Sequence, residues 1–171
     1  MILESRPLGW LLVVVWFAWL SALQQGLAGG AVFELAAPDL GMVFFVVLLG
    51  VVRREDVLLL GLLAALGRKT FSVDPGVAIL SGYLALAWLA SILRGLVELE
   101  SPLWRGALAA VGATGLGLWL EVVRYARTGA ALPQVEALLP LAFTSGLAAL
   151  ALGGVLARLP GLSPLRGEES W

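Results

Sequence analysis

Residues 61–76, GLLAALGRKTFSVDPG, decide how this chain is read. An apolar run meets Arg68-Lys69, resumes at Phe71 and stops at Asp74-Pro75-Gly76. Two readings compete: a phosphate-binding loop, or a hydrophobic helix too short to cross a bilayer alone. A phosphate loop requires G-x-x-x-x-G-K-[ST] after a strand, so that backbone amides cradle the phosphates. Here Arg68 intervenes between Gly67 and Lys69-Thr70, and the preceding residues form an apolar run. The stretch therefore reads as a short third helix ending at Gly67, a basic pair at the interface, and an ordered crossover to the next helix.

Composition explains why a membrane is the setting. The 171 residues are 60% hydrophobic and 13% charged, with a mean hydropathy of +0.97. A soluble domain is roughly 45–50% apolar and about 25% charged, and one of this size has no means of hiding so much apolar surface from water. The formal net charge of −1 offers no basic field for nucleic acid. Cysteine and histidine are both absent. That removes disulfides, thiol nucleophiles, imidazole bases and the commonest zinc ligands.

A helix needs about 20 apolar residues to cross the hydrocarbon core. Six segments follow: 7–29, 32–52, 57–67, 76–93, 103–123 and 132–159. The first has the length and tryptophan content of a span rather than a signal peptide. The second is cleanly apolar only over Leu40–Val52, and the third is shorter still. Together they predict a hairpin that barely spans or is broken, tolerable only if enclosed by protein or lining a wet cavity. Asp74-Pro75 suits the start of the fourth helix, with the aspartate as cap. Residues 160–171 read as a short flexible cytoplasmic tail. The expected fold is an all-α polytopic membrane protein, a compact six-helix bundle in one domain with short or broken second and third helices.

Even topology divides the basic residues into two sets. Arg6, Arg53, Arg54, Arg94, Arg105, Arg158 and Arg166 fall on one side, and Arg68, Lys69, Arg124 and Arg127 on the other. The positive-inside rule then puts both termini in the cytoplasm. Trp10, Trp88, Trp104 and Trp171 lie near the expected interfaces.

Close backbone approach holds membrane helices together, so small residues mark their contacts. Ser145, Ala149, Gly153 and Ala157 recur at four-residue spacing on the sixth segment. This stripe is a candidate packing or partner face, with internal packing the plainer reading. Trp16 and Trp19 share a face of the first helix, facing lipid or covered by a partner helix. Ionisable groups in hydrocarbon cost about 2.5–3.5 kcal/mol or more, so each one is a functional candidate. Glu121 and Arg124, one turn apart, suggest an interfacial ion pair; a proton-coupling carboxylate is the sharper alternative. Glu34 and Asp39 sit at the mouth of the second segment, able to pair with Arg68, Lys69, Arg124 or Arg127. Glu34, Asp39, Arg68, Lys69, Glu121 and Arg124 form a candidate polar cap. No acid–base pair, nucleophile with its base or metal-ligand spacing stands out, so no catalytic, cofactor or metal residue is expected.

The order of these features resembles a known family. Pro38-Asp39-Leu40, an apolar run and a basic turn lead to Gly61-Leu62-Leu63 and a restart at Pro75-Gly76. In layout this resembles MreD, the rod shape-determining membrane protein of bacteria, which itself resembles the substrate-binding subunits of energy-coupling-factor transporters. The resemblance implies a non-enzymatic role in the bacterial inner membrane. It also implies an MreC-like single-span membrane protein and cell-wall synthases as partners within the peptidoglycan elongation machinery. A substrate-binding transporter subunit, or another small membrane-complex subunit, is the alternative.

Overall fold

The computed structural model describes residues 6–28, 37–95, 101–129 and 135–166. Six helices run through them: α1 (Arg6–Ala28), α2 (Leu40–Leu49), α3 (Val57–Lys69), α4 (Gly76–Leu93), α5 (Pro102–Thr128) and α6 (Leu139–Leu156). Only α1, α4, α5 and α6 are long and apolar enough to cross a membrane. Their outward faces are apolar: Leu11, Val15, Trp19, Leu23 and Leu27 form one exposed stripe on α1, and Leu103, Val111, Trp119 and Val122 are exposed on α5. Such a surface belongs in lipid rather than water. The chain is an all-helical membrane bundle.

The short second helix is its centre. All ten residues of α2 are buried, and α1, α3, α5 and α6 pack around it. A helix that is apolar on every side needs protein or lipid on every side. Ten residues rise about 15 Å, half of a hydrocarbon core roughly 30 Å thick. Its partner α3 has 13 residues, so the expected short hairpin is present: α2 is enclosed, whereas α3 packs on α1, α2 and α4 and turns Leu58, Leu62 and Leu66 outward.

Both ends of α2 are satisfied by side chains. Asp39 caps its N-terminus, accepting from the Met42 amide at 2.9 Å. At its other end Arg94 Nη2 donates to the carbonyls of Leu49 and Val52, the latter at 2.5 Å. A buried helix end without such partners would leave several polar groups stranded. The same end of the bundle holds the start of α1, where Arg6 pairs with Asp56 at 2.6 Å. The opposite end holds the α1 C-terminus, the α3–α4 connection and the end of α5.

Several boundaries differ from the expectation. Helix α3 continues through Gly67 to Lys69, because the bare glycine is the contact point with α1: a Cβ there would lie 2.4 Å from Phe17 Cβ. Asp74 does not cap α4. Pro75 occupies that position, and the Asp74 carboxylate is taken by Ser72 Oγ and Arg124. Helix α5 extends to Thr128 and stops at Gly129, whose φ of +66° is the left-handed terminator that glycine adopts freely. Helix α6 covers less than 132–159, entering through a 3₁₀ turn at Val135–Leu138 and ending at Leu156.

The expected flexible tail is the largest correction. Residues 160–166 fold back on α1: Leu162 and Leu165 are fully buried, and Val52 pairs with Arg166 in an isolated bridge. Gly161, at φ +88°, makes the turn where a Cβ would collide with Leu12. The two leucines are apolar enough to seat in the core, which outweighs the polar character of the surrounding tail. Trp171 lies outside the described residues.

Candidate functional site

A polar cluster surrounds the N-terminus of α2. The sequence Pro38-Asp39-Leu40 places the aspartate as cap, so Oδ1 faces the Met42 amide while Oδ2 accepts from Arg68 Nη1. The Asp39 backbone amide in turn donates to Ser145 Oγ of α6 at 2.9 Å. Helix α3 supplies Arg68 from its last turn, where a cation also suits the helix dipole. Tyr83 of α4 is fully buried, and its hydroxyl has no hydrogen-bond partner among the described residues. A Cβ built on Gly41 would lie 3.4 Å from Asp39 Oδ1, 3.5 Å from Tyr83 Oη and 4.0 Å from Ser21 Oγ. That one glycine leaves the space in which three polar groups converge.

Charge in such a place is stable only when paired and hydrogen-bonded. Asp39 meets both conditions, because its carboxylate holds an amide and a guanidinium. Arg68 also lines a cleft of about 390 Å³, together with Ser21, Gln24, Gln25, Phe71, Ser72 and Val73. Gln25 Nε2 donates to the Phe71 carbonyl and fastens α1 to the α3–α4 connection. The chain matches no protein-family model, no curated protein and no solved structure.

The candidate polar cap divides into two layers. Asp39 and Arg68 form the deep one. Outside it, Arg124 bridges Glu121 at 2.5 Å and Asp74 at 3.3 Å, so Glu121 has the expected neighbour. Lys69 Nζ donates to the carbonyls of Ser72 and Asp74 at 3.2 and 2.8 Å, holding the connection rather than an acid. Glu34 lies outside the described residues. Among those described, no three His, Cys, Asp or Glu side chains group to hold a metal ion.

The small-residue stripe faces inward. Ser145, Ala149 and Gly153 are buried, and Ala157 is half-buried. Gly153 makes room for Arg105 Nη1 of α5 and Val47 of α2, which would lie 3.2 and 3.5 Å from a Cβ there. A backbone-to-backbone α5–α6 approach lies elsewhere, at Gly106 and Gly146, where a Cβ on either would meet the other's carbonyl oxygen at 3.2–3.3 Å. Trp16 and Trp19 meet edge to face with centroids 5.8 Å apart. Trp16 leans on the core and points its indole N–H toward the Pro160 carbonyl, while Trp19 remains exposed.

A second feature opens sideways into the membrane. Along the seam where α5 and α6 meet lies an open apolar groove of about 560 Å³. Gly106, Ala107, Ala110, Ala142 and Gly146 contribute its small residues, and Leu103, Leu139, Phe143, Leu147 and Leu150 its larger ones. Sequence reasoning passed over these small residues, Tyr83 and the Ser21-Gln24-Gln25 face. A single phenol in mid-span and a polar face near the end of an apolar helix were the available signals.

Proposed function

We propose that this chain is a non-enzymatic scaffold subunit of a bacterial cell-shape and cell-wall elongation complex. It resides in the inner membrane with both termini cytoplasmic and docks an MreC-like single-span protein, through which it meets wall synthases. The observation that carries this reading is the α5–α6 groove. Ala107, Ala110 and Ala142 keep its floor low, over the buried Gly106–Gly146 contact, and such small residues suit close helix association in a bilayer. Two further features agree with it. The residues that carry the family resemblance sit at structural joints: Asp39 caps α2, and Gly61 admits Ala87 and the Tyr83 carbonyl of α4 at close range. The larger basic set lies at the end where Arg6 meets Asp56, in keeping with a cytoplasmic side there.

The chain has no cysteine, which makes the test clean. Single cysteines at Ala107 and Ala142 are paired with cysteines along the partner's membrane helix and oxidised in native membranes. Adducts at these two positions, and none from Val15 on the exposed face of α1, are the expected outcome. Equal adducts at all three, or none while the partner still co-purifies, would reject the groove. A transporter substrate subunit is the second reading, supported by the polar cleft over Arg68. Recovery of an ATPase module with the chain in place of wall-synthesis proteins would select it.

A further inference from the structure

The geometry points to a ligand site of a different kind: the cleft at the α1–α3 end binds a phosphate-class oxyanion, anchored by Arg68 and walled by Ser21, Gln24 and Ser72. The lining supplies a guanidinium, amides and hydroxyls, with no carboxylate among the described lining residues. Arginine presents five N–H donors in a planar fork suited to phosphate oxygens. Asp39 engages Nη1, and the same side chain lines the cleft, so one guanidinium can serve an acceptor on each side.

Tyr83 provides the independent observation. Its hydroxyl is fully buried, faces the same space at Gly41 as Asp39 Oδ1, and has no hydrogen-bond partner of ordinary geometry among the described residues. Such a group costs free energy where it stands, and use in a second, ligand-bound state is a reason to retain it. An oxyanion drawing on Arg68 weakens the guanidinium's hold on Asp39, and the buried carboxylate then needs a second donor. The Tyr83 hydroxyl, facing the same space at Gly41 as Asp39 Oδ1, is the candidate donor. In this account the unpaired phenol is the reserve that lets Arg68 turn to a ligand without stranding Asp39.

A lipid headgroup and free phosphate share this chemistry, and the experiment separates them. The chain is purified in neutral detergent, stripped of lipid and unfolded thermally against rising inorganic phosphate, with chloride at matched ionic strength as control. In parallel it is reconstituted in phosphatidylcholine vesicles with or without phosphatidylglycerol, and retained lipid is read by native mass spectrometry. A saturable rise in melting temperature with phosphate assigns a free anion; selective phosphatidylglycerol retention assigns a headgroup; either supports the site. Arg68→Lys keeps the charge opposite Asp39 but loses the fork, and should weaken binding roughly tenfold. Tyr83→Phe should weaken binding while leaving the ligand-free melting temperature unchanged or higher. Gln24→Ala leaves the ion pair intact and decides the matter if Arg68→Lys does not fold. Absence of both responses in the native chain, or responses unchanged in Gln24→Ala and Tyr83→Phe, would overturn the proposal.

Discussion

Asp39 and Arg68 form an ion pair in which only 3% of the aspartate side chain and 21% of the arginine side chain reach the surface. The pair joins α3 to the N-terminus of α2. Removing one partner leaves an uncompensated charge in a low-dielectric site, which costs about 3–5 kcal/mol. Arg68→Gln should therefore lower stability sharply, by thermal unfolding in detergent. The double variant Asp39→Asn, Arg68→Gln should recover most of the loss, because the asparagine oxygen still accepts from the Met42 amide. A double variant no better than the sum of the singles would mean that the two charges are not coupled.

Helix contacts in this bundle depend on where a glycine sits rather than on how many there are. A Cβ on Gly67 would fall 2.4 Å from Phe17 Cβ, whereas one on Gly115 meets nothing within 4 Å. Gly67→Ala should destabilise by about 1–3 kcal/mol through overpacking. Gly115→Ala should be neutral or stabilising by roughly 0.5–1 kcal/mol, from helix propensity. Equal melting temperatures for the two variants would show that α1 and α3 do not meet as described.

Residues 160–166 should behave as part of the core. Leu162 and Leu165 are fully buried, and replacing either with alanine should cost about 2–5 kcal/mol. Ending the chain at Leu159 should cost more, because both are lost and the Val52–Arg166 bridge with them. Limited proteolysis reads the same point: cleavage within 160–166 should be slow until the bundle unfolds.

The spans were legible because lipid imposes a long, simple requirement: continuous apolarity over a fixed thickness. The brevity of α2 and α3 was legible for the same reason, as Arg53-Arg54-Glu55-Asp56 and Arg68-Lys69 interrupt the apolar runs at fixed places. Asp39 near Arg68 was among the pairings expected, since both flank the same side of the bundle. What sequence did not reveal depends on which face each helix turns inward. Tyr83, Ser21 and Ser145 converge only after α4, α1 and α6 have rotated into place, and no spacing within a single segment encodes that. Leu162 and Leu165 were overlooked because a stretch that opens on Pro160-Gly161 looks like a tail until the α1 surface it fills is known.

The inward direction of the α6 stripe separates two roles that small residues can play. Ala149 is 1% exposed, and a Cβ on Gly153 would press on Arg105 and Val47. Leucine at either position must displace α2 or α5, so Ala149→Leu and Gly153→Leu should each lose about 1–3 kcal/mol or more. Whatever protein still folds should form the same adducts with a partner helix at Ala107. Ala142 lines the α5–α6 groove instead. Ala142 is half-buried, with open groove beside it for the extra atoms, so Ala142→Leu should keep the unfolding free energy within about 0.5 kcal/mol of the parent. It should nevertheless block close approach of a second helix and abolish the Ala107 adduct. If Ala142→Leu unfolds the bundle while Gly153→Leu releases the partner, the assignments of the inner and outer faces are reversed, and the groove is not the docking surface.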